Sequence, residues 1–285
     1  MIVVTGATGH LGTLVIKDLL AAAVPASEIV AAVRSPERAA GLAELGVQVR
    51  RADYDDPESL ATAFTGVDKL LFVSGSEVGQ RVRQHRNVVD AARAAGPALL
   101  AYTSILNADT TRMVLAEEHK ATEAMIRESG LPFVLLRNGF YLELYTADFD
   151  RALARGSIVD AAGDGRLSAA TRPDLAGAAA AVLTTEGHEN KVYELGGEPA
   201  FTMTELAEEL SRQSGRTVVY QDLPPAEYAG LLVDAGLPPA LADVYADTRV
   251  GTARGDLFTD SGDLPRLLGR PTTSLRTAVA EALRG

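Results

Sequence analysis

Gly6, Gly9 and Gly12, spaced three residues apart, follow directly on the apolar run Ile2-Val3-Val4. Glycines in this pattern let the main chain do chemistry that side chains usually do. Gly6 permits a tight turn, Gly9 lets the backbone approach an anion, and Gly12 lets a following helix lie close to the strand. With Ala7, Thr8, His10 and Leu11 they make the heptapeptide GATGHLG. Leu11, Leu14, Val15, Leu19 and Ala22 then recur at helical spacing. A helix starting there turns unpaired N–H groups and its positive dipole end toward a phosphate. Strand, glycine turn and helix in immediate succession are the context in which such a motif reads as a dinucleotide site.

A second set of residues falls where strands should end. In enzymes that bind NAD, the second strand usually closes with a carboxylate that grips the adenosine ribose. Here Val33-Arg34-Ser35 occupies that place. An arginine suits a ribose 2′-phosphate and disfavours a bare ribose. Asp53, after the third strand, is placed either to meet the adenine amino group or simply to form a turn. Ser74-Gly75-Ser76 and Thr103 close the fourth and fifth strands. The chain has no cysteine, so thiolate chemistry is excluded. His10, His85, His119 and His188 are scattered, with no spacing that marks a metal site.

These residues need a scaffold, and the pattern supplies one. Apolar runs at 29–33, 47–49, 69–73, 98–103 and 133–136 read as buried strands alternating with helices at 37–45, from 57 to Gly66, through Val88, Val89 and Ala92 to Gly96-Pro97, and at 117–129. Alternation of this kind predicts an α/β fold, a Rossmann-type doubly wound parallel sheet with ligands outside the carboxyl ends of its strands. Beyond Tyr141 the alternation loosens. A glycine-rich turn at 161–165, an alanine-rich helix at 172–183, a strand–helix–strand at 192–221 and later helices describe a smaller C-terminal α/β lobe. The expected division is a nucleotide-binding domain over 1–140 and a substrate-side lobe over 141–285, with segments free to interleave.

Composition limits the partners. The 285 residues carry a net charge of -11, which argues against nucleic acid or an anionic membrane surface as partner. The first strand begins at residue 2 and no apolar run reaches membrane-spanning length, so a cytoplasmic protein is expected.

The GxxGxxG spacing resembles that of short-chain dehydrogenases and reductases. Most of these use a tyrosine as proton donor and a lysine four residues later, on the helix after the fifth strand. If Glu123 matches the glutamate that often follows that lysine, Leu115 stands at the tyrosine position and His119 at the lysine position. Tyr102 lies within the strand and cannot replace the tyrosine. The usual alcohol–ketone machinery is therefore missing, and His119 is left to touch the nicotinamide ribose.

More of the chain resembles the NmrA-like, atypical short-chain reductases. GATGHLG, VRSP, ADYDDPESL, SEVGQRVRQHRNVV, AYTSIL, LRNGFY, AAGDGRLSAATR, GHENKVYEL and LLGRPTTSL carry the resemblance nearly end to end. Within the family it is most similar to the bacterial type 2 NAD(P)H:quinone oxidoreductases, then to triphenylmethane reductases. The resemblance implies NADP(H) as cofactor, with Gly6 to Leu11 at the phosphates, Arg34 at the 2′-phosphate and Ser74, Gly75 and Ser76 beside the cofactor. It implies Thr171 and Arg172 near the cofactor too, and Asn138 and Tyr141 beside the nicotinamide. The implied activity is hydride transfer to a small quinone without flavin, with Asn138, Tyr141 or water serving the product oxygen. Reduction of triphenylmethane-type dyes, or cofactor sensing without catalysis, are the alternatives. A homodimer is left open.

Overall fold

The computed structural model describes residues 1–284. Strands and helices alternate through the first half: β1 (Ile2–Thr5), α1 (His10–Ala21), β2 (Ile29–Val33), α2 (Ala40–Glu44), β3 (Gln48–Arg51), α3 (Pro57–Ala63), β4 (Lys69–Phe72), α4 (Arg81–Ala95), β5 (Leu99–Ile105), α5 (Val114–Glu128) and β6 (Phe133–Asn138). The second half supplies α6 (Glu143–Thr146), α7 (Phe149–Arg155), β7 (Ser157–Asp160), α8 (Arg172–Thr184), β8 (Lys191–Leu195), α9 (Met203–Ser214), β9 (Val219–Asp222), α10 (Pro225–Asp234), α11 (Pro239–Arg254), α12 (Asp263–Leu268) and α13 (Leu275–Ala282).

A seven-stranded sheet in the order β3-β2-β1-β4-β5-β6-β8 forms the centre, and all its pairings are parallel. β2 and β5 are buried along their whole lengths, as strands covered on both faces require. The direction of strand progression reverses between β1 and β4, which opens a crevice outside their carboxyl ends.

Two departures from the sequence reading have clear physical causes. The helix expected over 37–45 is split into a 3-10 turn at Pro36–Ala39 and the short α2, which has helix-weakening Gly41 as its second residue. β5 runs past Thr103 because its pairing with β6 continues through Ser104↔Arg137 and Ile105↔Asn138.

The chain after residue 141 is shared between two bodies. β8 pairs with β6 as the seventh strand of the main sheet, ending at Asn138↔Leu195. Helix α8 lies against α1, and its buried Ala176, Ala178, Ala179 and Ala180 explain why this helix is rich in small residues. A Cβ on Gly177 would stand 2.8 Å from Leu268 Cδ2, so α12 also presses closely on α8. The remaining elements build the smaller lobe. There β7 pairs in parallel with β9, over a core that includes Phe201, Met203, Leu206, Leu210 and Val279. Among the described residues no helix is long and apolar enough to cross a membrane.

Candidate active site

The glycine turn is built as its spacing requires. Gly6 has φ +58°, and its carbonyl accepts the Gly9 N–H at 2.9 Å. A Cβ at position 9 would come within 3.1 Å of the Gly6 carbonyl oxygen, and one at position 12 within 2.5 Å. The second approach is shorter than real Cβ contacts allow, so glycine at 12 is a packing requirement. Ala7 and Leu11 are buried beneath the turn, and the Thr13 hydroxyl donates to the Ala7 carbonyl at 2.8 Å. No side chain caps α1 and no carboxylate occupies its first turn. By contrast, α3, α8, α9 and α13 are closed by Asp56, Thr171, Thr202 and Ser274. The amino end of α1 therefore keeps its N–H groups and partial positive charge for an anion.

From this turn a cavity of about 360 Å³ runs toward β2 and β3. Gly6, Thr8, Gly9, Arg34, Asp53, Ser74, Gly75 and Ser76 line it together. So do Arg38, Tyr54, Glu77 and Gln84, which sequence reasoning passed over. Arg38 lies one turn beyond Arg34 and places a second cation on that wall. Asp53 reaches the cavity while its Oδ1 accepts the Asp55 N–H at 3.0 Å, so it both shapes its turn and faces the cleft.

The walls are held by two buried networks. Tyr54 donates its hydroxyl proton to the Val73 carbonyl at 2.7 Å, so the 2.6 Å contact with Thr5 Oγ1 must be donated by Thr5. Thr5 in turn accepts the Val73 N–H at 3.0 Å, which closes a ring joining the tips of β1 and β4 to Tyr54. The Gly75 N–H donates to His85 Nε2 at 2.9 Å. Nε2 is therefore unprotonated, and Nδ1–H donates to Thr122 Oγ1 at 2.8 Å. Burial, assisted by the Arg81 charge, pushes the His85 pKa down to about 3 and keeps the ring neutral. Thr103 is also a support: it is buried, and its Oγ1 accepts the Ser74 N–H at 2.9 Å.

A second opening, lined by Thr8, Gly9, His10, Thr13, Glu143 and Arg172, adjoins the glycine turn on its other side. The Arg172 N–H donates to Glu143 Oε1 at 2.8 Å, and its guanidinium lies 4.2 Å from the centre of the Tyr141 ring. Burial raises the Tyr141 hydroxyl pKa, so the group stays protonated and able to donate. Among the described residues it has no hydrogen-bond partner in the protein. Asn138, at the end of β6, is 7% exposed, and its Oδ1 is also unpartnered. Four other buried polar atoms lack hydrogen bonds, but Arg81 Nη1, Glu118 Oε2, Glu143 Oε2 and Asp174 Oδ1 each lie within 3.9 Å of an opposite charge. Among the described residues Asn138 Oδ1 alone in this set has neither a hydrogen bond nor an opposite charge beside it.

Two expected site residues, Thr171 and His119, make other contacts in the protein. The Thr171 hydroxyl accepts the Asp174 N–H as the cap of α8, and its side chain faces a separate hollow lined by Thr146, Thr273 and Ala278. His119 is 6% exposed, with Nδ1 hydrogen-bonded to the buried Tyr102 hydroxyl at 2.8 Å. It belongs to the packing behind the cleft, where burial, assisted by the Arg81 charge, pushes its pKa down to about 3. Phe140 packs on the core of the smaller lobe. Gly139 lets that chain pass, since a Cβ there would stand 2.4 Å from the Ser168 carbonyl oxygen. Among the described residues no cluster of His, Asp and Glu could hold a metal ion.

Comparison with known proteins agrees with this geometry. The NmrA-like family model matches residues 1–246. Quinone oxidoreductase 2 of Escherichia coli K12 is 53% identical over 280 residues, covering 98% of both chains. The crystal structure of the NADPH-dependent quinone oxidoreductase of E. coli complexed with NADPH superposes with a TM-score of 0.97 at 52% identity, over 99% of this chain and 100% of the other. The Citrobacter sp. triphenylmethane reductase complexed with NADP(H) gives 0.94 at 44% identity, over 99% and 100%. With a family match over most of its length, these glycines at the head of a parallel sheet and an uncapped helix behind them, the chain belongs to the NmrA-like family.

Proposed function

We propose that this protein is an NADPH-dependent oxidoreductase that transfers hydride to a small quinone without flavin. The observation that carries this reading is the 53% identity, over 98% of both chains, to a quinone oxidoreductase. The residues present fit the dinucleotide: Gly6, Thr8 and Gly9 line the cleft, α1 is uncapped, and Arg34 and Arg38 place positive charge at the far end. When bound, the reduced nicotinamide supplies a hydride.

The chain's own residues bind, orient and stabilise the product oxygen. The amino end of α1 holds the pyrophosphate, and Arg34 pairs with the 2′-phosphate. Arg172 lies across the Tyr141 ring and fixes its plane. Asn138 offers its unpartnered amide to the carboxamide or to the acceptor oxygen. A quinone that takes up a hydride becomes a hydroquinone monoanion, and one proton completes it. Tyr141, kept protonated by burial, donates a hydrogen bond to that oxygen while water supplies the proton. A quinol oxygen is stable enough as an anion that no dedicated tyrosine–lysine pair is needed, which accounts for Leu115 and His119 at those positions.

Anaerobic stopped flow with purified, flavin-free protein tests the reading by following NADPH absorbance as benzoquinone is added. Quinone-dependent oxidation above the uncatalysed rate is expected, with a parallel run on a cationic triphenylmethane dye grading the second acceptor class. No oxidation of either would leave a cofactor-binding sensor. Activity unchanged in both Tyr141→Phe and Asn138→Ala would keep the reaction and displace the acceptor from these residues.

A further inference from the structure

Glu77 sets a carboxylate at the end of the cleft built for a phosphate. Its Oε1 accepts from Arg34 Nη1 at 2.9 Å, and its Oε2 accepts from Gln84 Nε2 at 3.1 Å. Gln84 is 4% exposed, so its amide is a fixed post. The segment that carries Glu77 is pinned on both flanks. On one side the Gly75 N–H donates to His85 and the Gly75 carbonyl accepts from Arg81 Nε at 2.6 Å. On the other, the Gly79 and Arg81 N–H groups both donate to Glu118 Oε1 at 3.1 Å. Between the pins the chain makes a turn closed by Gln80 N–H on the Glu77 carbonyl, with Gly79 at φ +87°. That turn displays Glu77 across the mouth of the cleft to Arg34. Two oxygens bonded by a guanidinium and an amide reproduce the contacts that a phosphate monoester would take.

We infer that Glu77 is a specificity-determining residue that occupies Arg34 in the free protein and must be displaced by the cofactor's 2′-phosphate. The inference rests on Arg34 being the 2′-phosphate contact. Only a 2′-phosphate requires the Arg34–Glu77 pair to break, so the cost falls on NADPH and spares NADH. Glu77 thereby narrows the preference that Arg34 creates. Both partners are largely exposed, at 65% for Arg34 and 47% for Glu77. The competition is therefore modest, worth about a twofold to fivefold change in affinity.

Calorimetric titration of NADPH and NADH into wild type, Glu77→Gln, Arg34→Ala and the double variant tests it. Melting temperatures check that each variant folds. In Glu77→Gln the NADPH affinity relative to NADH should rise about twofold to fivefold, and in the Arg34→Ala background the same change should do nothing. If Arg34→Ala abolishes the preference while Glu77→Gln leaves the ratio unchanged or lower, the displacement idea is overturned and the Arg34 contact stands. An equal rise in both backgrounds overturns it as well, since Glu77 would then act by general charge. If Arg34→Ala keeps the full preference, the reading of Arg34 itself has failed.

Discussion

The two ends of the cleft are made by different means. At the proposed adenosine end, Arg34, Arg38, Glu77 and Asp53 sit on turns after β2, β3 and β4, where charge would discriminate. At the proposed reacting end, Asn138 is the last residue of β6, locked by pairing to Ile105 on one side and Leu195 on the other. The two unpartnered polar groups there among the described residues, Asn138 Oδ1 and the Tyr141 hydroxyl, are neutral, which on the proposed reading leaves burial and shape to discriminate. Affinity at the first end should therefore respond to salt and to single charges, because exposed charges are screened. The second should respond to side-chain geometry and hardly to ionic strength. An enzyme arranged in this way can change cofactor preference by surface substitution without disturbing the place where the acceptor lies.

Gly12→Val should break the contrast outright, because both ends hang from the same turn. Its side chain would press on the Gly6 carbonyl oxygen and Ala7 Cα, backbone atoms with little room to move. A loss of about 2–3 kcal/mol in stability and more than tenfold in NADPH affinity is expected, measured by urea unfolding and calorimetry. Arg34→Ala sharpens it: NADPH binding should weaken about tenfold to a hundredfold, with kcat at saturating cofactor retained. Raising salt should shrink that difference. Asn138→Ala is the converse, lowering kcat about tenfold while the NADPH Kd stays within about twofold.

The smallest effect on turnover should come from His119→Gln, with a flat pH profile of kcat between about 6 and 8, because the ring is already neutral there. A proton-donating His119 would instead produce an ionisation that the variant removes. The same residue has a larger say in stability. His85 and His119 are neutral when folded, with pKa values near about 3, and titrate near about 6.5 when unfolded. The unfolded chain binds more protons as pH falls, so stability is complete above pH 6.5 and declines below it. The slope is about 1.4 kcal/mol per pH unit for each ring, and His119→Gln should remove one share of it. Unfolding curves at stepped pH give the comparison.

The adenosine end was legible in the sequence for the same reason that it depends on charge. Phosphates demand glycines and cations within a few residues of a strand, and GATGHLG and VRSP advertise both locally. Glu77 and Tyr54 escaped because their roles come from partners 43 and 49 residues away. Asn138 and Tyr141 were placed by resemblance, since no spacing rule marks a neutral amide. His119 sits at a position where reductases usually carry lysine, yet without a long flexible chain it turns inward to Tyr102. The sheet was read one strand short: residues 192–195 read as a strand of the smaller lobe, and only the long-range pairing with β6 shows where it belongs.

That late strand sets an order in time. A chain emerging from the ribosome has displayed all of β1 to β4, and thus the glycine turn and Arg34, once residue 72 is out. It cannot cover the open edge of β6 until Leu195 has been made, nor seat α12 on α8 until Leu268 has. Through that interval β6 is an unpaired apolar edge, the kind that recruits strands from other chains. Synthesis of β1 to β4 therefore precedes completion of the sheet beside Asn138 by more than a hundred residues.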